Sequence, residues 1–299
     1  MGAKILIPPD RSKNTSVDET KYFIYASSEM RGWKGDMEDV HIHVCDFAPD
    51  VSLFGVFDGH GGKEVAIFVE RHFIEELQKN NNFKDQKFED ALRETFLKMD
   101  ELLLTPEGQN EINEMKDNNG TIFAGCTANV ALFYKNTLYV ANAGDSRSVL
   151  CRENKNYDMS VDHKPENYEE KLRIEKAGGY VSDGRVNGNL NLSRTLGNLE
   201  YKSDSKLRSN EQLIIALPDI KKVELTQKDK FLLMGSDGIF ETLDHFDLLK
   251  FINQKLEDQI VTPQFLGKVA EDLLDTLIAP DLSAGTGCDN MTILIIYFK

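Results

Sequence analysis

Four times along this chain an acidic residue stands at the edge of a strongly apolar run and beside a small or turn-forming residue: MED at 37–39, DGHGG at 58–62, SDG at 236–238 and CDN at 288–290. The runs beside them, including VSLFGVF at 51–57, KFLLMGSD at 230–237 and MTILIIYF at 291–298, have the apolar and β-branched content of buried strands. Carboxylates at the rim of such a sheet repel one another once desolvated, and a fold that gathers them needs a compensating cation. Hard divalent cations with oxygen ligands suit that role. One Asp-Gly pair by itself is more often a plain turn; the recurrence beside strands is what points to metal.

Further strands are expected at 121–134, 137–141 and 146–151. Lys135-Asn136 is a hairpin-length gap and the turn at Ala143–Asp145 separates the next two runs, so all three read as antiparallel neighbours. Val65, Val69, Phe73 and Leu77, then Phe88, Leu92, Phe96, Met99 and Leu103, share the spacing of one helical face each. Pro165 and the pair Gly178-Gly179 bracket a short helix through Leu172 and Ile174, and Thr262-Pro263 opens another through Leu273 and Leu277. The polar stretches 105–119, 152–160 and 198–211 lack periodicity and read as loops. No internal repeat or interdomain linker stands out.

Several functions are disfavoured by bulk properties. Across 299 residues, 50 acidic against 35 basic side chains leave a formal charge of -15, which opposes binding to nucleic acid or anionic lipid. No apolar run approaches the roughly 20 residues of a membrane span, and MGAKILIPPD lacks the apolar stretch of a signal peptide. Gly2 invites N-myristoylation, although Leu6 stands where that motif prefers Ser or Thr. Cys45, Cys126, Cys151 and Cys288 form no CxxC pair, which fits reduced thiols in cytoplasm or nucleus.

The ordered blocks GWKGDMED at 32–39, FGVFDGHGG at 54–62, ANAGDSR at 141–147, DHKP at 162–165, GRVNGNLNLSRTLGN at 184–198, GSDGIF at 235–240 and CDNMT at 288–292 resemble the signature of the metal-dependent protein phosphatase family (PPM, type 2C). The resemblance runs from about residue 22 to 298. It implies an α+β fold, an αββα sandwich of two antiparallel β-sheets flanked by helices with a binuclear metal site at one end. Residues 1–21 would be an N-terminal segment and 22–299 a single phosphatase domain with a flap near 164–190. The implied activity is signalling-type hydrolysis of phosphoserine and phosphothreonine in phosphorylated protein substrates by a monomer. By resemblance, Asp58 bridges two Mg2+ or Mn2+ ions, the Gly59 carbonyl binds one, Asp237 and Asp289 bind the other, and Glu38 and Asp39 hold metal-bound waters. Two ions sharing a carboxylate can generate a bridging hydroxide and stabilise both attacking and leaving oxygens. His60 resembles the general acid that protonates the departing alkoxide. Asp145, near Thr127, and Glu241 are candidates for a third, weaker ion; a buried turn acid explains Asp145 equally well.

Three positions depart from the family pattern. Lys34 stands where an Arg usually binds the substrate phosphate, and a point charge lacks the planar fork, so looser phosphate binding is expected. Glu241 replaces an Asp, and Asn198 replaces an acid after the SRTLG block. Arg185 and Arg194 match family arginines, but structural ion pairs explain them as well as substrate binding does. Lys34 and Glu241 make a catalytically weak, phosphatase-like binding module the main rival reading. A nuclease or phosphodiesterase would need a basic surface that this chain lacks.

Overall fold

A computed structural model describes residues 8–116 and 124–299, so Gly2 and the first residues of the 121–134 run lie outside the described residues. Contacts divide the chain into two compact units. One gathers the described residues through Met37 with Val149–Tyr157 and Lys228–Lys299; the other joins Glu38–Ser148 to Asp158–Gln227. Elements are numbered in chain order along the whole sequence.

The first unit is built on a six-stranded sheet, ordered β1 (Asp10–Glu19), β2 (Phe23–Gly32), β15 (Met291–Phe298), β14 (Asp229–Gly235), β8 (Arg147–Arg152) and β9 (Lys155–Asp158). Antiparallel registers place Ala26 opposite Ile295 and Leu233 opposite Ile295 from the other side. Side chains alternate across a strand, so Ile24, Ala26 and Met30 share a face with Ile293, Ile295, Phe231 and Leu233. That face packs with α7 (His245–Leu256) and α8 (Pro263–Leu277) in one buried cluster. The short α6 (Asp237–Phe240) follows β14. Thr262 caps α8 by accepting the Phe265 N–H at 3.2 Å, with Pro263 in the first turn, as its sequence signals require. Leu294 and Ile296, on the opposite face of β15, are buried as well, which accounts for a run too apolar for an edge. Leu273 on α8 is 0% exposed. Leu273→Ala is expected to lower unfolding free energy by about 3 kcal/mol in urea titrations; a loss below about 1 kcal/mol would contradict its place in this core.

The second unit holds a seven-stranded sheet: β12 (Leu196–Gly197), β5 (Gly125–Cys126), β4 (Val51–His60), β6 (Ala128–Tyr134), β7 (Thr137–Ala143) and β13 (Asp219–Glu224), with β3 (Asp39–Ala48) also paired to β4. The helices α1 (Glu64–Lys79), α2 (Asn81–Lys84), α3 (Phe88–Leu103) and α4 (Pro106–Glu114) contribute to this unit's cluster. Val51, Leu53 and Phe57 of β4 belong to the cluster with Phe73, Leu77 and Phe96 of the helices. By period-two alternation, Phe54, Val56, Asp58 and His60 therefore point to the face away from the helices. The range 164–190, where a flap was expected, holds α5 (Tyr168–Lys176) and a small hairpin of β10 (Val181–Ser182) with β11 (Arg185–Val186). Two antiparallel sheets flanked by helices are the layers that the family resemblance implied.

Local expectations fared unevenly. The β6–β7 hairpin forms around Lys135-Asn136, but β7 and β8 lie in different sheets. The intervening turn bonds elsewhere: Gly144 donates its N–H to His163 Nδ1 at 3.2 Å and accepts the His163 N–H at 3.0 Å. Instead of a loop, 106–114 is helix α4, capped by Thr105 and anchored by Ile112. Within 152–160 stands the exposed strand β9, and Leu199–Lys202 forms a 3-10 turn. Part of the N-terminal segment is strand β1, paired with β2. Among the described residues, no helix is long and apolar enough to cross a membrane.

Candidate functional site

In the second unit, the β3–β4 register sets Asp39 directly opposite Asp58, with Asp39 only 4% exposed. Like charges facing each other across a ladder destabilise it, which makes this a carboxylate pair suited to a shared cation. The Gly59 N–H donates to the Glu38 carbonyl at 3.2 Å, and a Cβ at 59 would meet that oxygen at 2.5 Å, so only glycine permits the approach. Thr127 fixes the Asp58 backbone from both sides. Its hydroxyl accepts the Asp58 N–H at 3.1 Å and its own N–H donates to the Asp58 carbonyl at 2.9 Å. The same hydroxyl lies 2.7 Å from Ser146 Oγ, tying the strand end to the GDSR turn. There Asp145 is ion-paired with Lys164 of the DHKP block.

His60, at the end of β4, has Nε2 2.7 Å from Asn198 Oδ1, which also accepts the Thr195 hydroxyl at 2.9 Å. An amide oxygen only accepts, so His60 carries its proton on Nε2. Burial pushes the His60 pKa below its usual range, opposed by the Asn198 hydrogen bond and the charge of Asp145 and assisted by Lys202. The loop bearing Asn198 is anchored by α3. Asp100 accepts the Gly197 N–H at 2.8 Å and pairs with Lys202 at 2.5 Å, although burial on balance raises its pKa. Sequence reasoning marked Asn198 only as a missing acid; its partnership with His60 had no local signal.

Of the two arginines that match family positions, Arg194 enters ion pairs with Glu170 and Asp219, whereas Arg185 is exposed and bonds a backbone carbonyl. Buried Glu170 accepts Arg194 Nε and Nη2 at 3.0 and 2.7 Å, Arg173 Nη1 at 2.6 Å and the Ser193 hydroxyl at 2.7 Å. Arg194 also donates to Asp219 at 2.8 Å, whose second oxygen lies 3.1 Å from His163 Nε2. Arg185 donates to the Asn189 carbonyl at 2.7 Å.

In the first unit, Asp237 opens α6 directly after β14, and Asp289 stands just before β15. The two strand ends are joined through Ser236 and Thr292, by N–H donation to the Thr292 carbonyl and the Ser236 hydroxyl at 3.1 Å each. A Cβ at Gly238 would meet the Asn290 carbonyl at 2.1 Å, so glycine is required for the loops to touch. Asn290 Nδ2 donates to the carbonyls of Arg31 at 2.9 Å and Asp36 at 3.0 Å, fastening the loop that carries Lys34. Lys34 Nζ lies 2.6 Å from Asp289 Oδ1. Glu241 accepts the Gly287 N–H at 2.8 Å and so braces the segment leading to Asp289. Burial raises its pKa, reinforced by Asp289 and opposed by the Gly287 N–H.

The structure thus brings Glu38, Asp39, Asp58, Gly59 and His60 together in one unit and Lys34, Asp237, Glu241 and Asp289 in the other. Among the described residues, no three His, Cys, Asp or Glu side chains gather as a ready metal cage. The donor chemistry nevertheless fits hard divalent cations, being all oxygen, with Asp39 and Asp58 abreast.

Comparison with known proteins agrees with the fold and the ordered blocks. The protein phosphatase 2C family model matches residues 23–284. "Probable protein phosphatase 2C 4" of Paramecium tetraurelia is 78% identical over 295 residues, covering 98% of each chain. "Probable protein phosphatase 2C 21" of Arabidopsis thaliana is 36% identical, covering 98% of this chain and 92% of that one. The crystal structure of serine-threonine phosphatase 2C from Toxoplasma gondii matches the fold with a TM-score of 0.76 at 20% identity, over 98% of this chain and 100% of that one. With the family model spanning most of the chain and relatives aligned almost end to end, the chain belongs to the protein phosphatase 2C family.

Proposed function

We propose that this chain hydrolyses phosphoserine and phosphothreonine in protein substrates with two Mg2+ or Mn2+ ions held by Asp58, the Gly59 carbonyl, Asp237 and Asp289. The observation that carries this reading is the buried Asp39 set opposite Asp58, whose backbone Thr127 locks at the strand end. Divalent ions there would supply an ionised water as nucleophile and offset charge on the reacting phosphate oxygens. Glu38 and Asp39 would orient outer-sphere waters. Asp145 and Glu241 are assigned to a third, weaker ion, though each has a bracing contact of its own.

His60 acts as the general acid for the departing alkoxide. Since Asn198 holds Nε2 as a donor, Nδ1 is the nitrogen left to deliver the proton. A pKa lowered by burial makes His60 a stronger acid but leaves less of it charged at neutral pH, so its opposing partners, Asn198 first, matter to the rate. Lys34 reaches an oxygen of Asp289, and a side chain at that distance also reaches a phosphate bound beside Asp289. The phosphorylated partner is a protein, and the setting is cytoplasmic or nuclear signalling.

The Lys34–Asp289 pair also favours the second reading, a catalytically weak binding module, because it occupies the ammonium that would otherwise meet phosphate. Phosphate release from a phosphothreonine peptide, with Mn2+ or Mg2+ and then with chelator, separates the two. Metal-dependent release supports hydrolysis; folded, metal-binding protein that releases none from several peptides supports the module. Lys34→Arg is expected to raise kcat/KM about tenfold, the worth of one added charge-assisted hydrogen bond. An unchanged or lower value would remove Lys34 from the phosphate site.

A further inference from the structure

A groove of about 470 Å³ lies wholly within the first unit, between one side of α7 and the sheet. Lys230 and Tyr297, which line it, sit at one end of β14 and β15, where Phe231 pairs with Tyr297. Asp237 and Asp289 flank the other end of the same two strands. At about 3.3 Å per residue, roughly 20 Å of strand separates the groove from them.

The lining has three chemical parts. Leu249 and Tyr297 offer an apolar floor, and Phe246 stands at the rim with 62% of its surface in water. Asn154, Asn156 and Gln254 supply amides, each able to donate and accept as an extended peptide backbone requires, while Asn253 spends its Nδ2 on the Leu249 carbonyl at 2.9 Å and on Cys151 Sγ at 3.3 Å. Lys230 and Lys250 bring positive charge against a single acid, Glu257, in a chain whose net charge is -15. Among the described residues neither lysine enters an ion pair; Lys230 Nζ only approaches Asn253 Oδ1, at 3.4 Å. Aromatic anchors ringed by polar groups are the usual centre of peptide recognition, and local positive charge selects acidic partners.

We propose that this groove docks an extended acidic segment of a protein substrate, seating one large apolar side chain among Phe246, Leu249 and Tyr297 with flanking carboxylates on Lys230 and Lys250. Docking there would hold a substrate by a segment distant from its phosphorylated residue and so lower KM for the whole protein without touching turnover of short peptides.

The test is selection of random 12-residue displayed peptides on the full chain, which requires no turnover and so stands or falls apart from the catalytic reading. Enriched peptides should pair Phe, Leu, Trp or Met with at least two Asp or Glu. Synthetic versions should bind by fluorescence anisotropy and weaken at least tenfold in Lys250→Glu and in Phe246→Ser. Both positions are solvent-exposed, so thermal melting and release from a short phosphopeptide should stay at wild-type levels. Fusing an enriched peptide to a phosphothreonine substrate should lower KM at constant kcat. No enrichment, enrichment of basic sequences, or binding indifferent to both substitutions would overturn the proposal. So would sedimentation showing a dimer that Phe246→Ser dissolves, which would give the groove to a second copy of this chain.

Discussion

Asp58→Ala is expected to cut phosphate release from a phosphothreonine peptide by about a thousandfold or more, equivalent to several kcal/mol of lost transition-state stabilisation by the ions. The fold should survive, because Thr127 holds the Asp58 backbone rather than its carboxylate. Removing one of two facing carboxylates should even favour the metal-free protein, by about 0.2–1 kcal/mol. The signature is therefore double. In chelator the variant is expected to melt at or above the wild-type temperature, whereas added Mn2+ should stabilise the wild type by linkage and the variant less. Equal stabilisation by Mn2+ in both proteins would take Asp58 out of the metal site.

Glu170→Ala should be the most damaging substitution between 164 and 190, costing about 3–5 kcal/mol because it leaves the largely desolvated Arg173 and Arg194 without their shared carboxylate. Glu170 is 3% exposed. Burial alone would raise its pKa, but Arg194, Arg173 and the Ser193 hydroxyl overcome that and hold it at about 2, against an ordinary 4.5. A carboxylate depressed in the folded state stabilises fully above its unfolded pKa and loses that contribution as pH falls through the folded value. Here the contribution is about 3 kcal/mol and fades between about pH 4.5 and pH 2. Urea midpoints of wild type and Glu170→Gln should converge across that window; a gap independent of pH would refute the charge-based account. Arg194 also binds Asp219, which His163 and Arg194 hold below its normal range, so the damage should reach the Gly144 turn through His163.

What could be read in the sequence was what local periodicity or block order encodes. Val65 to Leu77, Phe88 to Leu103 and Thr262 to Leu277 each declare a helix by spacing, and the last two β-runs declare themselves by apolar content. Strand β2 is interrupted by Ser27, Ser28 and Glu29, and His41 and His43 give β3 a polar face, so neither stood out. Helix α4 buries little beyond Gly108 and Ile112. The β7–β8 turn misled because its bonding partner, His163, lies in a later segment. The same limit applies to the site. Asp58, Asp237 and Asp289 were visible as strand-end acids in ordered blocks, whereas the Asn198 contact with His60 and the Lys34 contact with Asp289 join residues far apart in the chain. Only the folded backbone states such pairings.

The register of β2 against β15, with Phe23 beside Phe298, has a consequence for biogenesis. At typical synthesis rates, β2 leaves the ribosome roughly 14–55 s before its partner exists. Throughout that interval the β1–β2 hairpin presents an unpaired edge, and Ile24 and Ala26 have neither α8 nor β15 to cover them. The segment from Glu38 to Gln227, whose own sheet needs nothing downstream, can meanwhile condense. The nascent chain is thus most exposed to chaperones at the open edge of β2, and truncation just before Met291 would leave that edge permanently unpaired while β1 still covers the other.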